Sequence, residues 1–280
     1  MVLLDVMICR SEGFCLKQRV LSAVVLLTIT LSCVLLSEVS RVLFFAVAGV
    51  LCCYEYSRAV ERVPVYCAAW VMYTYIAAQA LLTIFHQGPI LYIGFMMIGI
   101  FLAMFSGILH KQVSGNGALY TVAGLAYPGF LFGILMMISV GQIWKQTLLL
   151  ATAATLVCDS FALFGGMAFG KHKLAPLVSP KKTWEGAVCG ALSSLVVGLV
   201  IYLLPIFPEL SLPLCLITCF LASSMGQIGD LAESLIKRMI GVKDFSDLIP
   251  GHGGMFDRAD SLLFAIPTAY IVLHIAGIGV

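Results

Sequence analysis

The sequence predicts an all-α fold, a polytopic helical membrane protein with about nine transmembrane helices. Three observations predict it: composition, the length of the apolar runs, and the side on which the basic residues fall. Of the 280 residues 61% are hydrophobic and only 11% charged, whereas a soluble domain is roughly half apolar and about a quarter charged. In water such a chain would expose more apolar surface than it could hide, so the consistent solvent is a bilayer. A formal net charge of +2 is too small to argue for nucleic acid, and no nucleic-acid partner is expected.

A spanning helix needs about 20 apolar residues. That window yields segments near Val20–Leu36, Val42–Tyr56, Val63–Phe85, Ile90–Leu109, Leu119–Val140, Thr147–Phe169, Glu185–Leu204, Leu212–Ile228 and Leu262–Gly279. The second is short enough to tilt or to lie at the interface. Met1 to Arg19 carries scattered charges and no small-residue cleavage site, so the first apolar run is expected to stay as a helix. With no repeat or low-complexity linker, residues 1–280 form a single membrane domain. Within it, 1–146 are expected to supply the lipid environment and dimerisation, and 147–280 the catalytic helices and loops.

Charge tests the helix count. If nine helices alternate sides, fourteen of the 16 Lys and Arg residues fall on one side and only Arg41 and Lys145 on the other. That bias follows the positive-inside rule and predicts a cytoplasmic N-terminus and an outside C-terminus. Arg41, on the sparse side, is expected to tolerate replacement by Ala. The ten cysteines include no CxxC pair, which removes support for zinc or dithiol chemistry and leaves them as small buried hydrophobes.

The polar residues concentrate in two loops on the basic side, Gly170 to Trp184 and about Asp230 to Asp260. Asp159 lies at membrane depth, where an ionised carboxylate is expensive unless it faces a polar partner or a wet cavity. Thr152, Thr155, Asp159, Gly166 and Gly170 share one helical face. A helix–helix hydrogen bond is the plainer alternative for Asp159. Ser223, Gln227, Asp230, Ser234 and Lys237 form a polar stripe that starts in the membrane and runs into the basic loop, while Met225, Ile228, Leu235 and Met239 share the other face. Beyond Pro250, the run His252 to Asp260 holds Gly253 and Gly254, which let backbone approach closely, then Asp257, Arg258 and Asp260. Carboxylates suit hard divalent cations, glycine-rich backbone can present N–H groups to phosphate, and Lys and Arg stabilise developing phosphate charge. Phosphoryl and nucleotidyl transfer need this inventory.

The segment Ser234-Leu-Ile-Lys237-Arg238, then Lys243-Asp244, then Ile249-Pro250-Gly251-His252-Gly253-Gly254-Met255-Phe256-Asp257-Arg258-Ala259-Asp260 resembles the signature of the phosphatidate cytidylyltransferase (CDP-diacylglycerol synthase) family. Ser179-Pro-Lys-Lys-Thr-Trp-Glu-Gly186 and Gly229-Asp230-Leu-Ala-Glu-Ser234 are similar to its other loops. Ala259 departs from the pattern, where a larger apolar residue is usual. The resemblance runs from about Asp159 to the C-terminus; the first half shares only hydropathy and a Tyr127-Pro128 segment.

The resemblance implies a homodimer in the bacterial inner membrane, with its active site open to cytoplasm and bilayer. It implies attack by phosphatidic acid on the α-phosphorus of CTP, with Mg²⁺ and a second cation such as K⁺. Carried over, Asp230 and Asp257 are the leading metal ligands and Asp159 a third. Lys237, Arg238, Lys243 and Arg258 bind phosphates, and Ser234 sits among them in the motif. His252, Gly253 and Gly254 shape the turn bearing Asp257, and Lys181, Lys182 and Trp184 contact nucleotide. The two lysines are equally explained as a solvated basic loop. The rival readings are a related CTP-dependent lipid enzyme (CDP-archaeol synthase or polyprenol kinase) and an ion-coupled transporter with Asp159 in a broken-helix region.

Overall fold

The computed structural model describes residues 24–25, 28–109, 115–204, 206–246, 248 and 253–279. After a helical stretch over 28–36 come α1 (Glu38–Val60), α2 (Ala69–Ile84), α3 (Pro89–Leu109), α4 (Gly115–Val140), α5 (Trp144–Phe169), α6 (Trp184–Leu203), α7 (Leu212–Ile240) and α8 (Phe256–Ile275). An antiparallel hairpin of β1 (Lys173–Ala175) and β2 (Ser179–Thr183) links α5 to α6. Seven of these helices are long and apolar enough to cross a membrane, and α2 is a shorter apolar helix. Together they account for the second to ninth expected segments. The first extends into residues outside those described, so the count of nine is not reached among the described residues.

The boundaries differ from the sequence reading where polar residues are buried in protein. The second segment is no short interfacial helix: α1 has 23 residues. Its ends carry Arg41 and Glu55, which hydropathy counts against a span, yet these side chains are only 5% and 1% exposed. Ser37 starts the helix with a reciprocal cap, its Oγ accepting from Ser40 N at 3.1 Å while Ser40 Oγ accepts from Ser37 N at 2.9 Å. The third segment is shorter than expected, because residues 61–68, with Pro64, do not join the helix. α7 runs on past Ile228 to Ile240, where Gly241 in the left-handed conformation (φ 81°) ends it.

Helices α5 to α8 pack against one another, with α1, α2 and α4 forming a second group that joins α8. Glycines set the closest crossing: a Cβ on Gly190 of α6 would sit 2.7 Å from the Cys158 carbonyl oxygen of α5, the small-residue packing typical of membrane helices. Helix α4 contains a π-helical turn, Leu125–Phe130, with Pro128 inside it. Such a turn widens the helix and often marks a functional region; here it carries Tyr127 toward α7. Cys52, Cys53, Cys158, Cys215 and Cys219 are buried free thiols.

Candidate active site

A cavity of about 980 Å³ opens at one end of the bundle, at the top of the size range of small-molecule sites. Its walls come from the C-terminal half of α5, the hairpin, the start of α6, the C-terminal half of α7 and the start of α8. The hairpin is fixed to α6 by Glu185, which accepts from Lys171 N at 3.1 Å, His172 N at 3.2 Å and His172 Nδ1 at 2.6 Å. Thr183 caps the same helix, its Oγ1 accepting from Gly186 N.

The predicted polar stripe on α7 faces inward. Ser223 and Ser234 are buried, whereas Ile228, Leu235 and Met239 are exposed on the opposite face. Gln227 donates to the Ala187 carbonyl at 3.1 Å and ties α7 to α6. Asp230 and Glu233 follow on the stripe, and Asp260 reaches them from α8. One carboxylate oxygen from each of these three lies within 4.8 Å of the others. Glu233 is fully buried, and its Oε1 has no hydrogen-bond partner among the described residues. Three carboxylates this close repel one another, and an orphaned buried oxygen is costly. A hard divalent cation relieves both, so the donor set fits Mg²⁺.

Two lysines flank the acidic group. Lys182 of the hairpin lies 2.5 Å from Asp230 Oδ2. Lys237 of α7 is 2.5 Å from Glu233 Oε2 and 2.9 Å from Asp257 Oδ1. The other oxygen of Asp257 accepts from Gly254 N at 2.9 Å and Phe245 N at 3.3 Å. Asp257 therefore closes its own turn and aims Lys237. The three-carboxylate group contains Glu233 and Asp260 beside Asp230; Asp257 and Asp159 border the same cavity outside that group. Asp159 makes no hydrogen bond among the described residues.

The remaining expected residues separate into two sets. Lys181, Lys182, Lys237 and Arg258 line the cavity. Arg238, Lys243 and Trp184 do not: Arg238 Nε donates to the Val178 carbonyl at 3.2 Å and holds the hairpin, Lys243 is exposed, and Trp184 is 58% exposed at the root of α6. Ser234 Oγ points at Asp230 Oδ1 from 3.5 Å. Gly253 adopts the left-handed conformation (φ 81°), which favours glycine. Gly254 lacks a side chain for a reason internal to the fold, since a Cβ there would lie 2.6 Å from Glu55 Oε2. His252 lies outside the described residues.

Over residues 17–276 the chain matches the sequence profile of the cytidylyltransferase family. The chain belongs to that family. Its relatives include the phosphatidate cytidylyltransferase of Brucella abortus biovar 1, 33% identical over 258 residues covering 91% of this chain and 92% of the relative. The phosphatidate cytidylyltransferase of Bacillus subtilis is 47% identical over 115 residues, 41% of this chain and 42% of its own. That of Staphylococcus saprophyticus is 38% identical over 163 residues, 58% and 62% of the two chains.

In this cytidylyltransferase-family chain, sequence reasoning left four site residues without a role. Glu233 had a signal, three residues after Asp230 and four before Lys237 on one helical face. Asp260 stood in the motif with no role assigned. Glu55 and Tyr127 come from the first half of the chain; Glu55 carries no local signal, and Tyr127 only the Tyr127-Pro128 segment of the resemblance. Tyr127 donates its hydroxyl to the Gly229 carbonyl at 3.0 Å, directly before Asp230, and its ring packs on Phe256 and Phe264.

Proposed function

We propose that this chain transfers CMP from CTP to phosphatidic acid, giving CDP-diacylglycerol and pyrophosphate. The observation that carries the reading is the acidic group of Asp230, Glu233 and Asp260 between Lys182 and Lys237, at the end of an apolar helical bundle in a chain of this family. A phosphate oxygen of phosphatidic acid attacks the α-phosphorus of CTP, the bond from that phosphorus to the bridging oxygen breaks, and pyrophosphate leaves. The nucleophile is already an anion near neutral pH, since the second pKa of a phosphate monoester is about 6, so no general base is required.

Asp230, Glu233 and Asp260 would hold Mg²⁺, which supplies charge neutralisation on the polyphosphate. Lys237, held between Glu233 and Asp257, donates to phosphate oxygens as negative charge shifts toward the leaving group. Lys182 and Arg258, with Lys181 at the rim, bind the remaining phosphates. The membrane helices around the cavity bring the lipid substrate from the side. The distribution of basic residues supports a cytoplasmic site, a cytoplasmic N-terminus and an outside C-terminus. We extend the reading to a homodimer, which light scattering in detergent tests directly.

The decisive experiment incubates the purified chain with α-labelled CTP, dioleoyl phosphatidic acid and Mg²⁺ in detergent. Labelled CDP-diacylglycerol and pyrophosphate should appear in equal amounts without any gradient. No product, product only with an ether-linked lipid, or label released as CDP only when a polyprenol is supplied, would replace this reading by one of its rivals.

A further inference from the structure

Glu55 is a carboxylate buried in α1, 201 residues before Phe256 along the chain. It is 1% exposed, and no basic side chain pairs with it among the described residues. A buried charge without a counter-ion is among the costliest groups a fold can keep. What satisfies Glu55 is backbone and hydroxyl. Its Oε1 accepts from Met255 N at 2.9 Å and Ser246 Oγ at 2.6 Å, and its Oε2 accepts from Phe256 N at 2.8 Å. Met255 and Phe256 open α8, where the first N–H groups of a helix lack partners within it and favour negative charge.

From these observations we infer that Glu55 is a positioning residue for the transfer reaction, clamping the start of α8 so that the carboxylates of α7 and α8 meet in one register. The connection from Glu55 to the acidic group is continuous. Glu55 fixes residues 255 and 256; the adjoining Gly254 N holds Asp257; Asp257 holds Lys237, and Lys237 reaches Glu233. Asp260 N bonds to the Phe256 carbonyl at 3.1 Å, so the same clamp sets where Asp260 enters the acidic group. Glu55 lies behind the turn and does not line the cavity, so it touches neither the cavity nor its contents.

The inference rests on the proposed activity, and its test keeps the two apart. Glu55→Gln keeps the volume but sets an amide N–H₂ against one of the two backbone donors. In the purified protein kcat should fall about 10- to 100-fold, the cost of misplacing catalytic groups by about 1 Å. KM for CTP should stay within about threefold, as for a group that acts only in the transition state. Hydrogen exchange should quicken at Met255 and Phe256 while α5 and α6 keep their protection. Ser246→Ala removes only the hydroxyl donor, should shift both readouts the same way by less, and serves if Glu55→Gln does not fold. Unchanged exchange at 255–256 in the folded variant, or unchanged exchange and kcat in Ser246→Ala where Glu55→Gln does not fold, overturns the positioning role. An inactive wild type would sink the proposed activity, while exchange would still read the clamp.

Discussion

Lys182 Nζ lies 2.5 Å from Asp230 Oδ2, so a cation from the hairpin neutralises one of the three carboxylates of the acidic group. The pair lines the cavity, joining the hairpin between α5 and α6 to the C-terminal half of α7. In the proposed reaction a triphosphate would offer Lys182 a second anionic partner and leave the carboxylate to a metal ion.

Replacing Lys182 by Met should therefore weaken CTP use without unfolding the chain. Charge-assisted hydrogen bonds are worth about 1.5–3 kcal/mol, so kcat/KM for CTP should drop by roughly 10- to 150-fold. Steady-state kinetics at saturating phosphatidic acid measure it; wild-type efficiency would remove Lys182 from the nucleotide site.

Glu233→Gln should abolish turnover and leave a folded protein. The change keeps the shape, removes a buried charge and ends the ion pair with Lys237. Losing one of the proposed metal ligands should lower activity at least about 100-fold, by the scale of transition-state charge stabilisation. Thermal unfolding in detergent should move little. Full activity in Glu233→Gln would exclude this carboxylate from the reaction. By the same logic EDTA should stop the reaction and added Mg²⁺ restore it.

Gly254→Ala places a methyl 2.6 Å from Glu55 Oε2. Overpacking a tight site costs about 1–3 kcal/mol, and here the displaced atoms are the Glu55 carboxylate that holds Met255 N and Phe256 N. Both stability and activity should fall. Gly88→Ala is the matched control, since its new Cβ meets nothing within 4 Å; equal damage from both would discount the contact.

Tyr127→Phe removes the hydrogen bond to the Gly229 carbonyl and keeps the ring packing. A net loss of about 1 kcal/mol should appear in detergent melting, with a several-fold loss of kcat as Asp230 loosens. An unaltered melt and rate would show that the hydroxyl does not hold α7.

Arg41 corrects its own expectation. The charge distribution assigns it to the side poor in charge, yet its Nε donates to the Ser139 carbonyl at 2.8 Å and its guanidinium covers the Trp144 ring at 4.1 Å. Arg41→Ala should destabilise by about 1–3 kcal/mol, as an unsatisfied buried carbonyl costs, while activity per folded molecule stays unchanged. Loss of specific activity in well-folded protein would contradict a purely structural role.

The sequence by itself determined the solvent, the helical class and the family, through a motif whose residues line the cavity. These are properties of composition and local order: apolar run length, residue spacing, and a long motif whose glycines and carboxylates lie close together in the chain. Only the tertiary structure decided that Glu233 and Asp260 join Asp230 while Asp257 turns to Lys237, that Arg238 holds the hairpin, and that Glu55 and Tyr127 reach across from the first half. The physical reason is that hydropathy scores each polar residue as a cost without knowing its partner. In this fold the partners sit as many as 201 residues away along the chain, and packing alone brings them together.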